Sequence, residues 1–229
     1  MDQHEECEGM TQSACPSCRR RHDGRMDFYD DRILPRLVEK TCGMAAMRPL
    51  RQRACAGLTG EVVEIGFGSG LNVGLYPDAV TRVSAVEPSD GGWGLAADRV
   101  AGSAVPIERA GLDGQRLPFD DNTFDSALST FTLCTIPDVA AALAELRRVV
   151  KPGGTVCFLE HGRAPDEKVR RTQRLLEPVQ KRLGGGCHLT RDIPSLLTGS
   201  GLVVAELDQF YAKGAPRPYG ALSTGTASV

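Results

Sequence analysis

A chain of 229 residues with 41% hydrophobic and 24% charged side chains is long enough for one α/β domain with a full core and short for two. That composition excludes a disordered protein, and a formal net charge of −2 argues against a general nucleic-acid binder, which is usually basic. No apolar run approaches the length needed to span a bilayer, and the acidic start, residues 1–10, is not a signal peptide, so a cytoplasmic protein with mostly free cysteines is expected.

Residues 1–25 stand apart. Acids (Asp2, Glu5, Glu6, Glu8, Asp23) and arginines (Arg19, Arg20, Arg21, Arg25) dominate, and the few apolar residues have no period. Such a segment cannot bury enough surface to offset its ordering entropy, so a disordered or loosely ordered extension is expected, or an over-long translation start before Met26. It carries Cys15-Pro16-Ser17-Cys18 with Cys7 and His22 nearby. Four such ligands can close a zinc site, but a single CxxC without a second is weak support, and no metal is assigned.

The folded domain is expected over 26–229. From Phe28 onward the pattern turns helical, with Ile33, Leu34, Leu37 and Val38 on one face. Pro35 is expected to kink or trim this helix and Gly43 to end it. A second helix over 49–56 completes an N-terminal helical lid, residues 26–57. Strands are predicted over 61–66, 82–87, 105–108, 124–131, 155–160 and 202–207. The clearest helix lies between the fourth and fifth: Asp138 caps it, Val139, Leu143, Leu146 and Val150 form its apolar stripe, and Pro152-Gly153-Gly154 stops it. Another is predicted from about 166 to 177, interrupted by Pro178. Strands alternating with helices imply an α/β, Rossmann-like fold, a mainly parallel sheet with helices on both faces.

The strongest chemical signal is the strand-to-turn run Val62-Val63-Glu64-Ile65-Gly66-Phe67-Gly68-Ser69-Gly70-Leu71-Asn72. Alternating glycines let the backbone approach a ligand closely, since no Cβ intrudes. At the end of the next strand, Glu87 can accept hydrogen bonds from both hydroxyls of a ribose. A dinucleotide fingerprint needs glycine where Leu71 stands, which disfavours NAD and FAD. A carboxylate at Glu64 favours a cationic ligand over a pyrophosphate, and a sulfonium with an α-amino group meets that demand.

At these residues the chain resembles the class I S-adenosylmethionine-dependent methyltransferases, of the methyltransferase type 11 kind, from about Phe28 to the C-terminus. Four motifs in order carry the resemblance: Glu64 to Gly70, Ala85-Val86-Glu87-Pro88-Ser89, Leu117-Pro118-Phe119 running to Phe124-Asp125, and Lys151-Pro152-Gly153-Gly154. Leu133-Cys134-Thr135-Ile136, Leu159-Glu160-His161 and Gly186-Cys187-His188-Leu189-Thr190-Arg191 are similar to a subgroup that includes alkyl-thiol methyltransferases, and to bacterial phospholipid and quinone methyltransferases.

The resemblance implies S-adenosylmethionine as cofactor and a small-molecule methyl acceptor; the near-neutral charge and the lack of a long apolar run give the expectation of no nucleic-acid partner and no integral membrane segment. Gly66, Gly68 and Gly70 would line the methionine moiety, Glu64 would place its amino group, Glu87 would hold the ribose and Pro88 would flank the adenine. Asp113 would face the adenine amine, although Gly111-Leu112-Asp113-Gly114 departs from the family's usual Gly-Asp-Ala type. Ser129 and Thr130 would sit under the sulfonium, and Tyr29 would close over the cofactor from the lid.

His161 follows the fifth strand, whose carboxyl end faces the ligand crevice, and is the candidate base or acceptor-orienting group. A histidine that only bonds a loop explains it equally. Glu160 is a candidate brace for that turn, while His188 and Arg191 are candidates for the acceptor side. Cys134 and Cys187 are expected to be buried or pocket-lining thiols. A catalytically silent S-adenosylmethionine-binding regulatory module is compatible with the same donor motifs.

Overall fold

The structure, a computed structural model, describes residues 29–229. The expectations for 1–25, including Cys7, Cys15, Cys18 and His22, lie outside the described residues, as does Phe28.

Among the described residues, seven strands form one sheet: β1 (Gly60–Ile65), β2 (Val80–Val86), β3 (Ile107–Gly111), β4 (Phe124–Thr130), β5 (Val150–His161), β6 (Val203–Tyr211) and β7 (Ala221–Ser228). Their spatial order is β3-β2-β1-β4-β5-β7-β6. β7 runs antiparallel to both β5 and β6, and the other pairs are parallel. The expected mainly parallel α/β sheet is therefore present, with one strand more than the sequence suggests. The segment Ala221–Ser228 is mostly small residues, and no element is predicted for it from sequence. It becomes a strand because its neighbours complete its backbone hydrogen bonds.

The helices are α1 (Leu34–Cys42), α2 (Arg48–Cys55), α3 (Asp90–Ala101), α4 (Val139–Val149), α5 (Glu167–Leu183), α6 (Ile193–Gly199) and the short α7 (Arg217–Gly220). Side chains alternate across a strand, so the central strands bury two faces. Val63, Ile65, Ala127, Val156 and Phe158 pack with Leu143 and Leu146 of α4 and with Ile193 and Leu197 of α6. Val62, Leu128, Cys157 and Leu159 face the other way, onto Ala54 and Cys55 of α2 and onto Leu58.

Asp138 caps α4 as expected, its side chain accepting from the Ala141 N–H at 3.0 Å. Pro35 trims α1 rather than kinking it. It lies in the first turn, where the missing N–H costs nothing. Gly43 ends that helix, its N–H bonded to the Glu39 carbonyl at 2.8 Å. Pro178 does not end α5, which continues to Leu183. Both Pro178 and Arg174, whose carbonyl loses its partner, are exposed, so solvent can satisfy the carbonyl. α3 was hidden in sequence by Gly91, Gly92 and Gly94, weak helix formers. It is held by Ser89, whose hydroxyl accepts from the Gly92 N–H at 3.0 Å.

Candidate active site

The carboxyl ends of β1, β2 and β3 form one half of the site. Gly66, Gly68 and Gly70 all have positive φ (68°, 58° and 73°), a backbone region that L side chains rarely adopt. A Cβ on Gly66 would collide with Thr132 Oγ1. One on Gly68 would meet nothing closer than 3.9 Å, so its absence leaves open space above the turn. Glu87 ends the run from β2 and fastens this turn: Oε2 accepts from the Gly68 N–H at 2.6 Å and Oε1 from the Ser89 N–H at 2.8 Å. A carboxylate has about four acceptor positions, so two remain for vicinal hydroxyls. Burial pushes the Glu87 carboxyl up, and the two N–H bonds pull against that.

Pro88 beside it is exposed, as is Asp113 after β3. Asp113 Oδ1 accepts from the Gln115 N–H at 2.9 Å and its side-chain amide at 3.0 Å, which fixes the loop on this side of the turn. A glycine cradle, a carboxylate with spare acceptors and an exposed acid on the neighbouring strand suit an adenosine bearing a small charged chain.

Beneath the turn lies a buried polar cluster that the sequence reading missed. Glu64 is 1% exposed. Its Oε1 accepts from Asn72 Nδ2 at 2.8 Å and its Oε2 from the Tyr76 hydroxyl at 2.6 Å. Desolvation drives its carboxyl up to about 7, against the pull of Tyr76, Asn72 and Arg51. Arg51 of α2 donates to Asn72 Oδ1 at 2.9 Å, to Thr130 Oγ1 at 3.0 Å and to the Cys42 carbonyl at 3.2 Å. Burial lowers its guanidinium below the usual arginine range. A sequence signal for Arg51 existed: it sits at i+4 from Met47 and at i−3, i−4 and i−7 from Ala54, Cys55 and Leu58, inside an apolar stripe.

Ser129 and Thr130 point to opposite faces of the sheet. Thr130 joins the Arg51 cluster, also accepting from Asn72 Nδ2 at 3.0 Å. Ser129 donates to Glu160 Oε1 at 2.7 Å. Glu160 braces the turn after β4 rather than the expected turn after β5: Oε1 accepts from the Thr132 N–H at 3.0 Å and Oε2 from the Cys134 N–H at 3.1 Å. Tyr29 donates to the Leu183 carbonyl at 2.6 Å, which places it against the end of α5.

The carboxyl ends of β4 and β5 form the other half. There a cavity of about 440 Å³ opens between α1, the end of α5 and the segment before β7. Leu34, Leu37, Val38, Met44, Phe131 and Leu222 give it aliphatic and aromatic walls. Among the described residues lining it there is no Asp, Glu, Lys or Arg. His161 reaches it with its ring 4.8 Å from that of Phe131, which in turn lies 5.2 Å under the Arg51 guanidinium. Phe131 is held at φ 57°, strained for a side-chain-bearing residue, where the chain turns out of β4.

Cys134 and Cys187 also line the cavity, with Cys187 Sγ 4.0 Å from His161 Nδ1. The Cys134 thiol is pushed well above its usual range by its hydrogen bond to Cys187, and by burial. That bond pulls Cys187 down. Arg191 does not reach the cavity. Its guanidinium donates to the carbonyls of Leu133 at 2.6 Å and Ile136 at 2.7 Å, clamping the loop after β4. His188 pairs through Nδ1 with Glu177 at 3.3 Å.

The methyltransferase domain family matches residues 63–158, from β1 to β5. Thiol S-methyltransferase TMT1B of Rattus norvegicus is 30% identical over 177 residues, covering 74% of this chain and 69% of that protein. Demethylmenaquinone methyltransferase of Mycolicibacterium paratuberculosis strain ATCC BAA-968 / K-10 is 39% identical over 102 residues, covering 42% of this chain and 44% of that protein, so this chain spans less than half of that relative. Among solved structures, an S-adenosylmethionine-dependent methyltransferase from Mesorhizobium loti superposes with a TM-score of 0.60 at 17% identity, covering 82% of this chain and 99% of that one, which establishes the shared fold. The glycine turn, the acid after β2, the strand order and these likenesses agree: the chain belongs to the class I S-adenosylmethionine-dependent methyltransferases.

Proposed function

We propose that the acceptor is a small, partly apolar thiol, methylated on sulfur. One observation carries this reading: the cavity at the ends of β4 and β5, of a size that holds a small ligand, is apolar and has no charged side chain among its described lining residues. Among the described lining residues, a lipid phosphate or an anionic metabolite would find no lysine or arginine to pair with. The thiol methyltransferase among the relatives supports the same choice.

When bound, S-adenosylmethionine supplies a methyl group already activated on a sulfonium. The chain's task is then to align the two reactants and exclude water. Gly66, Gly68 and Gly70 admit the methionine end, Glu64 is proposed to attract its ammonium, Glu87 receives the ribose hydroxyls, and Pro88 and Asp113 flank the adenine. The lid, with Leu34, Leu37 and Val38, covers the acceptor. His161, the imidazole of the cavity, is placed to take the thiol's proton or to hold its sulfur.

Glu87→Ala is expected to weaken S-adenosylmethionine binding by about 1–3 kcal/mol, because hydrogen bonds to a charged acceptor are lost. Calorimetry checks it, and unchanged affinity in a folded variant would move the ribose elsewhere. His161→Ala is expected to slow transfer to an alkyl thiol by roughly 10²-fold, the low end for a positioned proton-transfer group, with cofactor affinity unchanged. Wild-type turnover should rise with pH as thiolate accumulates. A variant with wild-type turnover at every pH would make the histidine structural.

The acceptor itself is tested by incubating the protein with methyl-labelled S-adenosylmethionine and a panel of alkyl thiols, quinols and phosphatidylethanolamine vesicles. Label in a methyl thioether is expected. Label only in quinol or lipid would overturn the thiol reading.

A further inference from the structure

We propose that Cys134, His161 and Cys187 form a zinc site in the acceptor cavity, and that the fourth coordination position of the metal takes the substrate sulfur as a thiolate. The second half of this proposal rests on the thiol reading above. The first half does not.

The three ligand atoms, Cys134 Sγ, a ring nitrogen of His161 and Cys187 Sγ, all lie within 4.8 Å of one another. In a tetrahedral zinc site, bond lengths of about 2.0–2.3 Å put neighbouring ligand atoms roughly 3.5–3.8 Å apart. The observed 4.0 Å between Cys187 Sγ and His161 Nδ1 is thus close to the required spacing. The set of two sulfurs and one imidazole is the kind that zinc takes with one position left open.

Each ligand is held by independent parts of the fold. Cys134 follows β4, and its backbone is fastened by Glu160 at 3.1 Å. The loop it belongs to is clamped by Arg191 on the Leu133 and Ile136 carbonyls. The segment carrying Cys187 is tied to it through the His188 N–H, which donates to the Cys134 carbonyl at 2.8 Å. His161 ends β5 and its ring packs on Phe131. Such backbone bracing and packing hold ligand side chains in place before a metal arrives.

Charge supplies a second argument. The described cavity lining offers no lysine or arginine to stabilise a thiolate acceptor. A divalent zinc with two thiolates and one neutral imidazole is electroneutral, which an apolar cavity tolerates. It also gives the acceptor sulfur the cation it lacks. All three residues line the cavity, so a fourth ligand can approach from within it.

The acceptor thiol binds the zinc and its proton passes to solvent. A sulfur lone pair then forms the new carbon–sulfur bond as the donor's methyl–sulfonium bond breaks, and that bonding pair stays on the departing sulfur as a neutral thioether. The product is also a thioether, a weaker zinc ligand than a thiolate, and leaves. His161 then acts as a ligand rather than as the base.

The test uses the full chain carrying Cys15→Ser and Cys18→Ser, so that metal on the N-terminal pair is not counted. Reduced, metal-free protein is titrated with zinc, and in parallel with cobalt as a spectroscopic probe. The expected result is one zinc per chain, with a cobalt spectrum of a tetrahedral site showing thiolate charge transfer. Cys134→Ser and Cys187→Ser should each lose most of that zinc while retaining S-adenosylmethionine binding. No tetrahedral cobalt signal in the parent protein, or zinc retained by both serine variants, would overturn the site. Thiol methylation at full rate in zinc-free protein would overturn the binding of the substrate sulfur to zinc while leaving the thiol reading intact. Stoichiometric zinc lost in the variants, without methylation of any thiol, would keep the site and overturn the acceptor.

Discussion

Arg51→Met is expected to lower the free energy of unfolding by about 3–5 kcal/mol, the usual consequence of removing one member of a buried charged network. Methionine fills much of the arginine's volume, so the loss is not chiefly one of packing. What changes is that Asn72 Oδ1 and the Cys42 carbonyl lose their donor, and Thr130 Oγ1 keeps only Asn72 Nδ2. Glu64, buried nearby, loses a cation that stabilises its charge. The same side chain joins α2 to the Cys42 carbonyl at the end of α1, so the lid should loosen with it. Urea unfolding at unchanged slope gives the number, and a loss below about 1 kcal/mol, the worth of an ordinary hydrogen bond, would mean the cluster relaxes onto water.

Glu64 makes stability fall as pH rises across its own window. An ordinary glutamate titrates near 4.5, and this one is driven up to about 7 by desolvation. Between those values the folded protein keeps a proton that the unfolded chain has lost, so unfolding is increasingly favoured with rising pH. Glu64's contribution is fully present below about 4.5, declines towards 7 and is flat above. The displacement corresponds to about 3 kcal/mol at 1.36 kcal/mol per pH unit, as an order of magnitude. Asp125 and Glu145 are held low by Lys151 and Arg148 respectively, so their contributions are lost only in more acidic solution. The difference in stability between wild type and Glu64→Gln therefore isolates the effect. It should change steadily between about pH 4.5 and 7, and a difference constant across that range would show that Glu64 is ionised throughout.

What could be read from the sequence was what depends on neighbours along the chain. Gly66, Gly68 and Gly70 announce a turn by their own spacing, and Glu87 follows at the end of the next strand. Asp138 lies three residues before the N–H it caps. Pro178 was misread as a helix end and Ala221–Ser228 received no predicted element because local preference is a weak prior that exposure, in one case, and strand pairing, in the other, override. The polar cluster was out of reach for another reason. Arg51, Glu64, Asn72, Tyr76 and Thr130 come from α2, two strands and the turn between β1 and β2, and only the folded sheet brings them together. The same holds for Cys134, His161 and Cys187: each was noticed alone, but their common cavity exists only once β4, β5 and the segment after α5 are in place.

We assign donor and acceptor to adjoining but separate halves of the crevice, over β1–β3 and over β4–β5. The direct measurement is the pair of constants, S-adenosylmethionine affinity and KM for an alkyl thiol, in two variants side by side. Glu87→Ala should weaken cofactor affinity and leave the KM for thiol unchanged. Leu37→Trp, which crowds the cavity from its partly exposed α1 wall, should raise the KM for thiol and leave cofactor affinity unchanged. Two variants that alter the same constant, or a Leu37→Trp protein that loses cofactor and keeps its KM, would contradict the division.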